Sequence, residues 1–207
     1  MTKALLLIDL QNDFMPGGAL AVSGGNELIP IANRLMSVFD LVVATQDWHP
    51  ADHQSFASQH TGKQVGEVIE IDGLSQVLWP DHCIQDTFGA QLHADLDMHA
   101  VQHVVPKGTN SRIDSYSGFF DNGHRQATGL AELLQSERVT QLVVMGLATD
   151  YCVKFTALDA AQLGFETSVI QDACRAVELS PGDSRRAWEE MQQSGVELCT
   201  LDSWLSN

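Results

Sequence analysis

Basic residues are scarce in this 207-residue chain: 11 Lys+Arg stand against 27 Asp+Glu, a formal charge of −16 at pH 7. A surface that tracks nucleic-acid phosphates or an anionic membrane needs clustered cations, so neither partner is expected. Cysteine is also sparse. The four, at 83, 152, 174 and 199, form no C-x-x-C pair and no spaced framework. A chain of this length buries a core without staples, so they read as reduced thiols and the expected address is the cytoplasm. No apolar run approaches the ~18 residues of a membrane span. The N-terminal run ALLLID (4–9) meets an aspartate at once and is too short for a signal peptide. No G-x-G-x-x-G follows that run, where a dinucleotide fingerprint belongs. Repeats, low-complexity tracts and charged tails are missing as well.

What remains is ordinary globular composition, 44% hydrophobic and 18% charged, on a length that suits a single domain over 1–207. Short apolar runs recur at 4–9, 41–46, 101–106, 141–146, 165–170 and 196–200. Their unbroken, β-branched character suits strands buried on both faces, as in a parallel sheet. Helical spacing fills the intervals at 26–39, from Thr128 through Glu137, and from Asp150 to Leu163 with Gly164 as the terminator. A last helix is expected from Ser180-Pro181, as cap and first residue, to Gly195. The alternation predicts a three-layer α/β domain with a mostly parallel sheet of about six strands. The stretch 47–100 is rich in His, Asp, Gln and Gly and shows weak periodicity. Long irregular stretches in compact domains are usually functional or disordered, and Trp48, Phe56, Trp79 and Phe88 argue for order.

Ligands of open α/β sheets bind beyond the carboxyl ends of the strands. The first run ends in Asp9, the third is followed by Lys107, and the turn after the fourth carries Cys152. In a parallel sheet all three would meet on one edge. A thiol becomes a good nucleophile as thiolate, a helix N-terminus and a cation lower its pKa, and a carboxylate can take its proton and later deliver it. Each residue alone has a plainer reading: a turn cap, a solvated ammonium, a small core hydrophobe. Their shared place favours a covalent acyl-transfer site. Asp47 and His49 fall on one side of an extended chain, with His53, His60 and His82 further on. Two histidines and a carboxylate leave open positions on Zn²⁺, Fe²⁺ or Mn²⁺; Cys83 is a weaker candidate beside His82. Phe14, Trp48, Trp79, Tyr116 and Phe119 would offer a flat slot for a planar ring.

The motifs IDLQNDF (8–14), MPGGAL (15–20), TQDWHP (45–50), SFASQH (55–60), WPDHC (79–83), KGTN (107–110), DSYSGFFDN (114–122) and GLATDYCV (146–153) together resemble the nicotinamidases, cysteine hydrolases of isochorismatase-like fold. They occur in the family's order, and the likeness runs from residue 5 to about 175. The resemblance implies hydrolysis of nicotinamide to nicotinate and ammonia, a step of NAD salvage, with pyrazinamide as a second substrate. It implies Asp9 as general acid/base, Cys152 as nucleophile and Lys107 as their cationic partner. Asp47, His49 and His82 match the metal positions, and His53 stays open as a further ligand. The implied ion is divalent, zinc first, with iron or manganese as alternatives. Phe14 and Trp79 match residues flanking the pyridine ring, and Tyr116 one beside it. A cis Leu147–Ala148 bond is implied, aiming the N–H groups of Ala148 and Cys152 at the oxyanion. An assembly of several copies is left open.

Two other readings compete. Isochorismatase or a carbamoyl-amine hydrolase shares the fold, but such relatives usually lack the metal segment. A non-catalytic binding module would have no need to keep Asp9, Lys107 and Cys152 together.

Overall fold

The computed structural model describes residues 2–206. Eight strands form: β1 (Thr2–Ile8), β2 (Leu41–Asp47), β3 (Val68–Ile71), β4 (Leu74–Val77), β5 (His103–Lys107), β6 (Val139–Leu147), β7 (Glu166–Arg175) and β8 (Glu197–Cys199). Six of them make one sheet in the order β5-β2-β1-β6-β7-β8, with every pairing parallel. The helices are α1 (Leu28–Met36), α2 (Leu130–Ser136), α3 (Lys154–Gln162), α4 (Asp183–Gln193) and α5 (Leu201–Leu205).

The central strand shows why an unbroken apolar run was needed. Successive side chains of β1 point to opposite faces. Ala4, Leu6 and Ile8 enter one core with residues of α2, α3 and α4; Leu5 and Leu7 enter a second with residues of α1 and α5. The sheet is therefore sandwiched between helix layers, as expected for an α/β fold. Each fully buried leucine contributes on the order of 2 kcal/mol.

The sequence-predicted elements differ in their ends, for identifiable reasons. The final helix begins at Asp183, not at Pro181, because Gly182 takes the left-handed cap conformation at φ 87°. The Glu178 carboxylate accepts the N–H groups of Gly182 and Ser184 at 2.6 and 3.0 Å, so it caps the helix in place of Ser180. Gly129, not Thr128, holds the cap position of α2, and the Thr128 hydroxyl accepts the Leu130 N–H at 3.1 Å from one residue further back. α3 starts four residues later than the Asp150 its helical spacing suggested, since 149–153 wind as a wider π turn. Within 47–100 a hairpin appears, β3 with β4, turning at Asp72-Gly73 with φ 51° and 81°. That Asp-Gly pair is the usual signal for such a turn. α5 was not anticipated; it is held by Trp204 stacked on Phe39 at 5.9 Å. No helix among the described residues is long and apolar enough to cross a membrane.

Candidate active site

β1, β2, β5 and β6 are neighbours and run in one direction, so their carboxyl ends share an edge. Asp9 follows β1, Asp47 ends β2, Lys107 ends β5, and Cys152 lies in the turn after β6. All four side chains are buried. The Lys107 ammonium lies 2.9 Å from Asp9 Oδ2, contacts Asp47 Oδ1, lies 3.3 Å from Cys152 Sγ and donates to the Ser115 carbonyl at 3.0 Å. Asp9, Asp47 and Cys152 each bring one atom within 4.8 Å of the others. The edge is tight because Gly146 closes it: a Cβ there would meet the Ile8 carbonyl oxygen at 2.2 Å.

Burial disfavours every charge here, and the mutual pairing decides which survive. For Lys107 the two carboxylates, Asp47 above all, outweigh burial and hold the ammonium well above its usual range. Burial raises Asp47, but Lys107, then His49, more than reverse it and keep that carboxylate ionised. For Asp9 burial prevails over Lys107 and the Thr45 hydroxyl, so its pKa is raised. Burial also pushes the Cys152 thiol well above its ordinary value; Lys107 opposes this, while the Asp9 and Asp47 carboxylates add to it. The sequence expectation of a thiol with lowered pKa is thus corrected: the resting group is a neutral thiol beside a basic carboxylate.

The histidines approach the same junction from the other side. His49 Nε2 is 3.7 Å and His82 Nε2 3.9 Å from Asp47 Oδ2, and the three residues offer atoms all within 4.8 Å of one another. The opposite ring nitrogens face carbonyls: His49 Nδ1 that of Gly108 at 2.9 Å, His82 Nδ1 that of Pro80 at 2.7 Å. A carbonyl only accepts, so each Nδ1 carries a proton and Nε2 is the ring nitrogen that each histidine turns toward Asp47. Gly108 is required for this, since a Cβ would strike His49 Cε1 at 2.3 Å. Burial and the neighbouring His49 lower His82 to about 4, leaving it neutral at physiological pH. Burial lowers His49, but Asp47, Asp114 and the Gly108 carbonyl together more than reverse it, so its pKa is raised. Two imidazole nitrogens and a carboxylate in this arrangement fit a divalent transition metal. His53 stands apart from this set and meets His49 and Asp114 instead.

One cleft joins the two halves. Of the sequence candidates, Phe14, Asp47, Trp79, His82, Tyr116, Ala148 and Cys152 line it. Trp79 Nε1 donates to the Tyr116 hydroxyl at 3.1 Å, which squares the two rings at 87°. The Leu147–Ala148 bond is cis. Two aromatic expectations fail. Phe119 is buried in the core, stacked on Phe165 at 6.0 Å, and Trp48 packs against the core on the α1 side. The Phe88 side chain is 73% exposed, and the residue is tied to its surroundings through its carbonyl, which accepts from Asn12 Nδ2 at 2.9 Å. Sequence reasoning missed four liners: Leu20, Asp114, Tyr151 and Val177. Val177 and Glu178 are pinned by the Asp150 carboxylate, which accepts both N–H groups at 3.0 and 2.8 Å; no local pattern announces a contact across that separation.

The family model for the isochorismatase domain matches residues 3–203. The chain belongs to the isochorismatase family. It is 53% identical to a nicotinamidase of Escherichia coli (strain K12) over 206 residues, 98% of this chain and 96% of that one. Among solved structures, a nicotinamidase pyrazinamidase of Acinetobacter baumanii superposes with a TM-score of 0.94 at 47% identity, covering 97% of both chains. A pyrazinamidase of Pyrococcus horikoshii in complex with zinc gives 0.79 at 38% identity, over 97% of this chain and 99% of that one. The six-stranded parallel sheet and its flanking helices are those of the family.

Proposed function

We propose that this chain is a cysteine amidohydrolase of nicotinamidase type, converting nicotinamide and water to nicotinate and ammonia and accepting pyrazinamide by the same chemistry. The observation that carries it is the meeting of Asp9, Lys107 and Cys152 with Asp47, His49 and His82 around one cleft walled by Phe14, Trp79 and Tyr116. The high identity with nicotinamidases over nearly the full chain supports the substrate class. A single catalytic domain and a cytoplasmic address belong to the same reading.

The chemistry follows from the charges. Ionised Asp9 takes the Cys152 proton as sulfur attacks the carboxamide carbon, and Lys107 compensates the negative charge passing between them. The tetrahedral oxyanion is met by the N–H groups of Ala148 and Cys152; one such donor is worth ~3–4 kcal/mol. The C–N bond breaks as Asp9 returns its proton to the leaving nitrogen, which departs as ammonia. The nicotinoyl group remains as a thioester on Cys152. Water, deprotonated by Asp9, attacks it; the C–S bond breaks, the thiol regains its proton and nicotinate leaves.

Asp47, His49 and His82 would hold the metal, for which zinc is the first choice given the zinc-bound pyrazinamidase relative. When bound, it supplies a Lewis-acid anchor for the pyridine nitrogen. Phe14 and Trp79 hold the ring flat and exclude water from its faces.

Ammonia release tests the proposal. Wild type should release it from nicotinamide, lose that activity with a chelator and recover it with added zinc. No release from nicotinamide, or release indifferent to chelation, would overturn it.

A further inference from the structure

The mechanism uses one oxygen of Asp9, and the structure explains why only one is free. Asp9 sits at φ 50°, a left-handed conformation that a short polar side chain tolerates when it finds a local partner. The partner here is Thr45, fully buried on the adjacent strand β2. Thr45 Oγ1 accepts the Asp9 N–H at 3.2 Å and donates its own proton to Asp9 Oδ1 at 2.6 Å. The hydroxyl has a single proton, and that proton is committed to Oδ1. The other oxygen, Oδ2, is left toward Lys107 at 2.9 Å, and Lys107 is the group that reaches Cys152 Sγ. Thr45 does not line the cleft.

We propose that Thr45 is a positioning residue: its hydroxyl clamps the backbone and Oδ1 of Asp9, fixes the rotation of the carboxylate, and dedicates Oδ2 to the proton transfers of Cys152, leaving group and water. The proposal rests on Asp9 being the general base, as set out above. A base turned away from its proton by a fraction of an ångström loses rate without losing substrate affinity. The role therefore predicts a split between kcat and KM, set by the hydroxyl and not by the methyl group.

The test compares Thr45→Val, Thr45→Ser and Thr45→Ala with wild type, using ammonia release from nicotinamide with zinc present. Valine keeps the shape and removes both hydrogen bonds; serine keeps the hydroxyl alone; alanine removes the hydroxyl without adding a methyl group that could clash. The expected result is a kcat lower by about 100-fold in the valine and alanine variants, KM within about twofold, and serine near wild type. Bound zinc per chain should stay unchanged. Wild-type kcat in valine or alanine overturns the proposal. So does equal impairment of the serine variant, or a change confined to KM. If neither hydroxyl-free variant folds, the hydroxyl is structural and the proposal also fails. A wild type silent on nicotinamide would instead defeat the functional reading on which this one stands.

Discussion

The Lys107 ammonium lies 3.3 Å from the Cys152 sulfur, and both are buried. That contact places a permanent positive charge where sulfur must become negative. Lys107 also separates two buried carboxylates, Asp9 and Asp47, which would otherwise face each other.

Removing that cation should cost stability as well as rate. A buried charge left without its partner destabilises by roughly 3–5 kcal/mol. Lys107→Met is expected to fall in that range in urea unfolding at neutral pH. A loss below about 1 kcal/mol, the value of an exposed ion pair, would show that the junction is solvated.

The pH dependence follows from Asp9. It must be ionised to act as a base, and burial raises its pKa above the ordinary carboxylate value of 3.8. Activity is therefore lost as pH falls through that raised value, and the acid limb of kcat/KM should lie above the range of a free aspartate. Lys107, with its pKa raised, stays charged throughout and adds no limb near neutrality. An acid limb at or below about pH 4 would contradict the burial of this base.

Metal removal should silence the enzyme without unfolding it. The two cores contain neither His49 nor His82, and they surround the sheet independently of that group. His49→Ala and His82→Ala should each weaken zinc binding by more than about 100-fold, measured by metal competition, with the far-UV spectrum retained. Loss of that spectrum on chelation would make the ion structural.

Tyr116 tests the aromatic wall. Its hydroxyl accepts from Trp79 Nε1 at 3.1 Å and from Gln76 Nε2 at 3.2 Å. Tyr116→Phe leaves the Trp79 N–H unmet, while Gln76 Nε2 keeps the Val77 carbonyl and Asp114 Oδ2; the loss is worth about 1 kcal/mol, so KM should rise about fivefold with kcat kept. A fall in kcat at constant KM would place the hydroxyl in the chemistry.

Much of this was readable before folding. The apolar runs marked the strands because parallel strands are buried on both faces, and the ends of β1, β5 and β6 carried Asp9, Lys107 and Cys152 as expected. Strand order was not readable, since pairing depends on contacts remote in sequence. Phe119 was misplaced for the same reason: of the aromatics in SYSGFF, Tyr116 lines the cleft while Phe119 is buried in the core. The Cys152 ionisation was misjudged because sequence shows a cation and a turn but not the depth at which they lie. Thr45 was invisible, an ordinary strand residue until the register sets it against Asp9.

The central claim is a covalent one, and acid-quenched enzyme under turnover with nicotinamide tests it most directly. Mass spectrometry of the peptides should find a nicotinoyl thioester on Cys152 in the wild type, none on Cys83, Cys174 or Cys199, and neither adduct nor ammonia from Cys152→Ala. Ammonia release by the Cys152→Ala variant at the wild-type rate would contradict the account.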